Sequence, residues 1–433
     1  MNQIKKLNLK PGDFVSLKTK EKIWKGNILE SHDPEIILLK LESGYNIGIR
    51  TNSIISLEVK KEAEIKEKES FKLKQDKKLP NIAMIITGGT ISSRLDPKSG
   101  AVKWTSVGDL FKIAPELSKI CNITEIKKPF MKGSEDMSFK YWKKIAETAE
   151  KLLNDKKIDG LIITHGTDTL HYGASALAFF LRNLNKPIAF TYSQRSIDRG
   201  STDAHLNLIC SAKFATSEIA ELAIIGHKDL NDHICVALPA TKTKKSHTSR
   251  RDTFKVINDV PIAEISKEHL EITRGFNVKD IDKKIELDAK SLEKVALVKF
   301  VPGMQPGVLE FYAKEGYKGI VIEATGLGHV ATNASDNNWL PTIKKLVKKG
   351  ITICIAPQTA NGRLNLNIYS NGRALKETEV IVLDDMLPET ALVKLSWVLG
   401  HPSWARDLEK VREKMLENVA GEYNEKLGIK DFN

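Results

Sequence analysis

From residue 82 to near residue 400, short apolar runs alternate with stretches of helical period, and this alternation restricts the fold more than any other feature. The runs fall at 82–86, 161–164, 187–190, 234–238, 295–301, 319–322 and 351–355. Each is too short for a typical helix and too continuously apolar for a strand with one wet face. Helical stretches lie between them at 139–154, 169–183 and 340–348. Strands alternating with helices imply a mainly parallel sheet covered on both faces. A chain of 433 residues exceeds one ordinary core. Two α/β units are therefore expected, at 81–275 and 290–400. A C-terminal helical tail follows at 401–433, where a helical period with charged faces runs from Trp404 to Lys426. In open sheets of this kind, sites form beyond the carboxyl ends of the strands.

The first 58 residues follow a different period. Phe14-Val15-Ser16-Leu17 alternates after the Pro11-Gly12-Asp13 turn. Trp24 to Leu29, Ile36 to Leu41 and, after Glu42-Ser43-Gly44, Tyr45 to Ile49 read as further strands. Short strands separated by turn residues predict a small SH3-like β-barrel over 1–58. Residues 59–80, including Lys60-Lys61-Glu62-Ala63-Glu64, are dense in charge and read as a solvated linker, with an exposed single helix as the alternative.

Apolar content of 41% and charged content of 28% are those of a globular protein. No run reaches the roughly 18 apolar residues of a membrane span, and Met1 to Lys10 lacks the apolar segment of a secretion signal. A cytoplasmic protein with no membrane association is expected. Cys121, Cys210, Cys235 and Cys354 are far apart and form no metal-ligand spacing, so buried free thiols and no metal site are expected. The net charge of +12 suits an anionic partner such as nucleic acid, or simply solubility.

Three segments carry chemistry. Thr87-Gly88-Gly89-Thr90-Ile91 follows the run 82–86. Its glycines let backbone amides approach a ligand, although a Gly-Gly pair also makes a plain tight turn. It is not a phosphate loop, because no Gly-Lys-Ser/Thr follows. His165-Gly166-Thr167-Asp168-Thr169 follows the run 161–164, where Asp168 or Thr169 could serve only as a helix cap. Lys245-Ser246-His247-Thr248-Ser249-Arg250-Arg251-Asp252-Thr253-Phe254 follows 234–238. Its lysine is either a solvated charge or, in a dry pocket, a base. A threonine hydroxyl attacks only after a base takes its proton, and amide hydrolysis also needs donors for the oxyanion. Thr90 suits the nucleophile and Thr167 with Lys245 a proton relay. Asp168 suits a substrate ammonium, and backbone amides near Gly89 or Gly166 suit the oxyanion.

These residues resemble the asparaginase/glutaminase family, whose paired signature is Thr-Gly-Gly-Thr and His-Gly-Thr-Asp-Thr after successive strands. Gly133-Ser134-Glu135-Asp136-Met137 is similar to that family's substrate-binding turn, in which the serine holds the α-carboxylate. Lys245 stands nine residues before Phe254, as the family's catalytic lysine does, although Lys242 and Lys244 compete for the role. Pro306-Gly307, Gly316 to Val321 and Pro388 to Leu395 resemble the C-terminal domain, so the likeness covers about 82–400. It implies an asparaginase-like two-domain parallel-sheet fold behind the barrel. The catalytic set would be Thr90, Thr167, Asp168 and Lys245, with Gly89, Ser134, Glu135 and Gly166 on the substrate.

Gln194 to Ala204, Thr248 to Asp252 and the N-terminal barrel resemble one archaeal branch of the family, the glutamine-hydrolysing component of a tRNA-dependent amidotransferase. That resemblance implies a hetero-oligomer with the E-type component of the amidotransferase, two of each. The partner would use ATP and Mg2+ to convert Glu-tRNA(Gln) to Gln-tRNA(Gln) with ammonia made here. It implies no cofactor on this chain, which shows no nucleotide-binding loop, and a homodimer within the assembly. Two departures stand out: 92–100 contains no tyrosine, where most members use one to activate the first threonine, and Glu135 replaces a glutamine. The alternatives are a free-standing L-asparaginase or glutaminase and a non-catalytic tRNA-binding scaffold. A dinucleotide-binding enzyme is disfavoured, because Thr325-Gly326-Leu327-Gly328 lacks a third glycine.

Overall fold

A computed structural model of the chain describes residues 9, 12–29, 31, 33, 35–41, 46–61, 75–95, 102–104 and 107–428. The expected turn at Glu42-Ser43-Gly44, residues 62–74 of the expected linker, and Asp96-Pro97-Lys98 lie outside these.

The N-terminal segment is a five-stranded antiparallel sheet. Its strands are Phe14–Thr19, Ile23–Leu29, Ile36–Leu41, Asn46–Arg50 and Ile54–Lys61. In space the fourth, third, second, first and fifth strands follow one another. Alternation turns Val15 and Leu17 inward, where they meet Ile28, Leu39 and Ile49. The fifth strand corrects the sequence reading, because it runs to Lys61, past the expected boundary at 58. Val59 pairs with Val15 and Lys61 with Phe14, so these residues complete a ladder along the first strand.

The larger unit is built on an eight-stranded sheet. Asn122–Lys127, Asn81–Ile86, Gly160–Thr164, Ile188–Thr191 and Leu222–His227 lie side by side and parallel. Ile234–Pro239, Ala263–Ser266 and Leu270–Ile272 then extend it in antiparallel fashion. The expected parallel sheet therefore covers one side only. The turn 228–233 is too short for the dozen-residue crossover that a parallel neighbour requires, so the chain doubles back. Asn81–Ile86 is buried on both faces: Ala83 and Ile85 share one apolar cluster with helices Phe139–Leu153 and Leu170–Phe180, while Ile82, Met84 and Ile86 share another with helix Ala204–Ala215. Burying each such isoleucine contributes roughly 1.5–3 kcal/mol, which fixes the strand whose end carries the first loop.

The second unit has four parallel strands, Val295–Lys299, Gly319–Ala324, Thr352–Pro357 and Ile381–Val382. Its helix Pro388–Leu399 shares one apolar cluster with the larger unit, where Trp397 stacks on Phe179 at 5.8 Å. The two units are joined by a continuous core.

The tail also differs from expectation. Among the described residues it is helical over Pro402–Ala405 and Leu408–Leu416 and not beyond, short of Lys426, and 429–433 lie outside them. The ammonium of Lys394, fully buried, takes the carbonyls of Met415 and Glu417 and pairs with buried Glu422. Glu422 in turn accepts the backbone N–H groups of Val419 and Ala420. Carbonyls and amides that would continue a helix are thereby engaged elsewhere. Burial pushes the Lys394 ammonium down from the usual lysine range, with Glu422 opposing. Replacing Glu422 with glutamine leaves this cation without a counter-charge. The expected result is a loss of about 3–5 kcal/mol, read as a lower urea midpoint. An unchanged midpoint would show that the carbonyls alone satisfy Lys394.

All four cysteines are buried and unbridged. Among the described residues, no helix is long and apolar enough to cross a membrane.

Candidate active site

The first loop leaves strand Asn81–Ile86 at Thr87, whose hydroxyl donates to the Thr164 carbonyl at 2.8 Å. That bond ties it to the neighbouring strand, from which the second loop leaves. Gly88 and Gly89 have φ of 121° and 79°, a region that favours glycine. A Cβ on Gly88 would lie 2.3 Å from the Lys132 carbonyl oxygen, and one on Gly89 would lie 2.4 Å from the Gly166 nitrogen. The two loops therefore touch backbone to backbone, and no residue with a side chain fits. Thr90, half-buried, opens a single tight turn, Thr90–Ser92, just past this contact. Ser93 Oγ donates to the Thr90 carbonyl at 2.8 Å and closes the turn.

In the second loop Thr167 is buried and Asp168 exposed. The cap reading does not hold, because neither Asp168 nor Thr169 caps helix Leu170–Phe180 with its side chain. Ser134, on a distant turn, instead holds the two residues before the helix: its Oγ accepts the backbone N–H of Asp168 at 3.1 Å and of Thr169 at 3.4 Å. The Thr169 hydroxyl returns a bond to the Ser134 carbonyl at 2.7 Å. Accepting both leaves the Ser134 hydroxyl hydrogen available to donate. A Cβ on Gly166 would lie 2.8 Å from Ser134 Oγ, so the turn 133–135 is seated directly on Gly166. The exposed Glu135 carboxylate folds back over Gly133.

The third segment carries three lysines, which the structure sends to three destinations. Lys242 is fully buried on Asp385 at 2.5 Å, Lys244 lies on Glu389 at 2.7 Å, and Lys245 turns toward the second loop. Lys245 Nζ donates to Thr167 Oγ1 at 2.9 Å and to Asp168 Oδ1 at 2.6 Å. It sits at the end of strand Thr243–Lys245, opposite Phe254 on strand Phe254–Val256. Burial holds the Lys242 ammonium below the usual lysine range, with Asp385 pulling the other way.

Several groups around the site escaped the sequence reading. His165 is wholly buried, and burial pushes its imidazole down to about 4, so it is neutral. Its Nδ1 lies 2.7 Å from the Gly166 carbonyl, which as an acceptor assigns the proton to Nδ1. This bond orients the peptide just before Thr167. Buried Asp203 accepts the backbone N–H groups of Gln194 at 2.9 Å and Arg195 at 3.0 Å, and so folds the 194–204 segment. Ile197 N then donates to the Ser93 carbonyl, bringing that segment against the Thr90 turn. Arg250 and Arg251 are held by Asp252 and Asp232 at 2.8 and 2.7 Å. Burial works against the Asp252 charge, but bonds from Arg250 and Lys255 hold its carboxyl down to about 2. Among the described residues, no group of three or more His, Cys, Asp or Glu could hold a metal ion.

The arrangement joins a threonine turn, a hydroxyl–ammonium–carboxylate triad and a serine whose hydrogen is free, all beyond the carboxyl ends of parallel strands. Such a set can bind a zwitterion and move a proton to and from a hydroxyl nucleophile.

Comparison with known proteins gives consistent likenesses. The asparaginase N-terminal family model matches residues 81–277 and the glutaminase/asparaginase C-terminal domain matches 294–415. The GatD N-terminal domain matches 9–59. The D-type component of glutamyl-tRNA(Gln) amidotransferase from Pyrococcus abyssi is 45% identical over 431 residues, covering 97% of this chain and 96% of that one. The protein of the same name from Thermococcus kodakarensis is 47% identical over 392 residues, 90% of this chain and 87% of the other. Among solved structures, the thermostable L-asparaginase from Thermococcus kodakarensis superposes with a TM-score of 0.69 at 27% identity, covering 80% of this chain and 100% of its own. L-asparaginase I from Vibrio cholerae gives 0.68 at 25% identity, with 80% and 99% covered.

Proposed function

Because the chain belongs to the asparaginase/glutaminase family, in the branch of D-type glutamyl-tRNA(Gln) amidotransferase components, we propose that it hydrolyses glutamine to supply ammonia for the conversion of Glu-tRNA(Gln) to Gln-tRNA(Gln). The observation that carries this reading is the placing of Lys245 Nζ on both Thr167 Oγ1 and Asp168 Oδ1, beside the Gly89–Gly166 contact that leads into Thr90.

In the proposed reaction the Thr90 hydroxyl attacks the side-chain amide carbon of glutamine. With Lys245 as the neutral amine, the Thr90 proton passes through Thr167 to Nζ and from there to the departing nitrogen, which leaves as ammonia. Water then cleaves the threonyl ester, releasing glutamate and restoring the hydroxyl. Backbone N–H groups about Gly89 and Gly166 face the developing oxyanion. The Ser134 hydroxyl donates to the α-carboxylate, and Glu135 lies on the same turn. Asp168 receives the substrate ammonium, which displaces the Lys245 contact of the free protein and leaves the lysine to Thr167.

A hetero-oligomeric partner follows from membership of this branch. We take that partner to be the E-type component of the amidotransferase, two copies with two of this chain, with ATP and Mg2+ used there and Glu-tRNA(Gln) as the acceptor. The compartment this requires is the cytoplasm, where charged tRNA is made. Residues 92–100 offer no tyrosine to activate Thr90, so full activation is assigned to the complex. The isolated chain is expected to release ammonia from glutamine at least about 10-fold more slowly than the complex with partner and Glu-tRNA(Gln), a difference of about 1.4 kcal/mol in barrier. Ammonia release measured with and without these components tests this. Equal rates would point to a free-standing glutaminase instead.

A further inference from the structure

Lys245 ends a three-residue strand, Thr243–Lys245, which among the described residues pairs only with Phe254–Val256 and stands apart from the main sheet. A two-stranded ribbon of this size does not hold its geometry alone. Beside its contacts within the larger unit, such as Tyr192 and His171 against Phe254, it is held by a short segment of the second unit, residues 385–390. Lys242 is paired with Asp385, both fully buried. The Thr390 hydroxyl donates to the Thr241 carbonyl at 2.8 Å. Lys244 Nζ reaches Glu389 Oε1 at 2.7 Å. Lys244 and Lys245 are successive residues on an extended strand, so they project to opposite sides. One side faces the second unit and the other faces Thr167.

Glu389 is the contact nearest the relay and the one least explained by stability. Its second oxygen, Oε2, is buried without a hydrogen-bond partner among the described residues. Burying a carboxylate in that state opposes folding. Its partner Lys244 keeps a third of its side chain exposed, so solvent screens part of the attraction between them. Glu389 is nonetheless rigidly placed in the first turn of Pro388–Leu399, behind a proline at the helix start. The neighbouring His171 is buried, and burial pushes it down to about 4, so it supplies no competing charge.

We propose that Glu389 is a positioning residue for the reaction: acting across the unit boundary through Lys244, it sets the strand end from which Lys245 Nζ meets Thr167. The inference rests on the glutaminase reading given above. A displacement of about 1 Å in a relay group is enough to slow a reaction by up to about 100-fold, and Glu389 governs this displacement without touching substrate.

The test compares Glu389→Leu, Lys244→Met and the double variant in the assembled complex, measuring kcat and KM for glutamine alongside near-UV circular dichroism. Each single variant is expected to fold and to lose about 10-fold or more in kcat with KM within about twofold, because binding groups are untouched. The double variant is expected to be no slower than the worse single one, because both act through one contact. Retention of kcat within twofold by a folded Glu389→Leu, or losses that multiply in the double variant, would overturn the proposal. Should Glu389→Leu not fold, Lys244→Met reads the same contact from its exposed end, and full activity there overturns it equally. Thr90→Ala in the same assay separates the two levels of inference: activity surviving in that variant removes the glutaminase reading, whereas its loss alongside a fully active Glu389→Leu removes only the role of Glu389.

Discussion

Replacement of Thr90 by alanine is expected to lower glutamine-dependent ammonia release by about 10³-fold or more, the scale on which hydrolases lose rate when the attacking hydroxyl is deleted. The loss should fall on kcat, because the groups assigned to the substrate's charged ends belong to other loops. Ser134 sits on the turn seated against Gly166, and Asp168 follows Thr167. Thr90→Ser should retain a substantial part of the rate, since it keeps the oxygen and removes only a methyl group. A further arm separates chemistry from folding. When ammonium salt replaces glutamine in the assembled complex, Thr90→Ala should support product formation at the unmodified rate. Glutamine-dependent product formation that survives Thr90→Ala would end the assignment of this residue and, with it, the enzymatic reading of the site.

The second large effect belongs to Lys245. Removing its ammonium while keeping most of its length, as in Lys245→Met, is expected to slow the reaction by about 10²–10⁴-fold, the usual range for a positioned proton-transfer group. Thr167→Ala should do similar damage, because the two share a 2.9 Å bond and act as one relay. Combining them should add little, since members of a single relay are strongly non-additive. Steady-state kinetics on the two variants and their combination provide the measurement. Losses that multiply would show that Lys245 and Thr167 work independently. The same substitution at Lys242 makes a useful contrast. Lys242→Met removes one half of a wholly buried ion pair and should appear chiefly as instability.

Much of this architecture is legible from residue pattern. The runs at 82–86 and 161–164 are strands because continuous apolar sequence between helices suits only positions buried on both faces. The loops that follow them had to emerge at neighbouring positions. What pattern does not reveal is the turn of the sheet toward antiparallel pairing after Leu222–His227. That depends on a loop length whose meaning appears only when the partner strand is known. The choice of Lys245 over Lys242 and Lys244 rested in sequence on its resemblance in spacing to Phe254, and the physical reason for the sorting was not legible there. Their sorting depends on Asp385 and Glu389, more than 140 positions away, and no local signal links a lysine to a distant carboxylate. His165 was hidden for a different reason. Its neutrality is a product of complete burial, which a single histidine beside a glycine does not announce. Asp203, which folds the 194–204 segment by accepting two amides, looks in sequence like any acidic residue before a helix.

The clasp around the end of the chain bears on the order of biosynthesis. The Thr241 hydroxyl donates to the Ala420 carbonyl, and Asn424 N donates to Asp385, the partner of Lys242. A ribosome that has not passed residue 424 has already made every group of the relay, yet not the fastening that seats it. The fastening can therefore close only after synthesis has passed residue 424, later than the relay groups themselves are made.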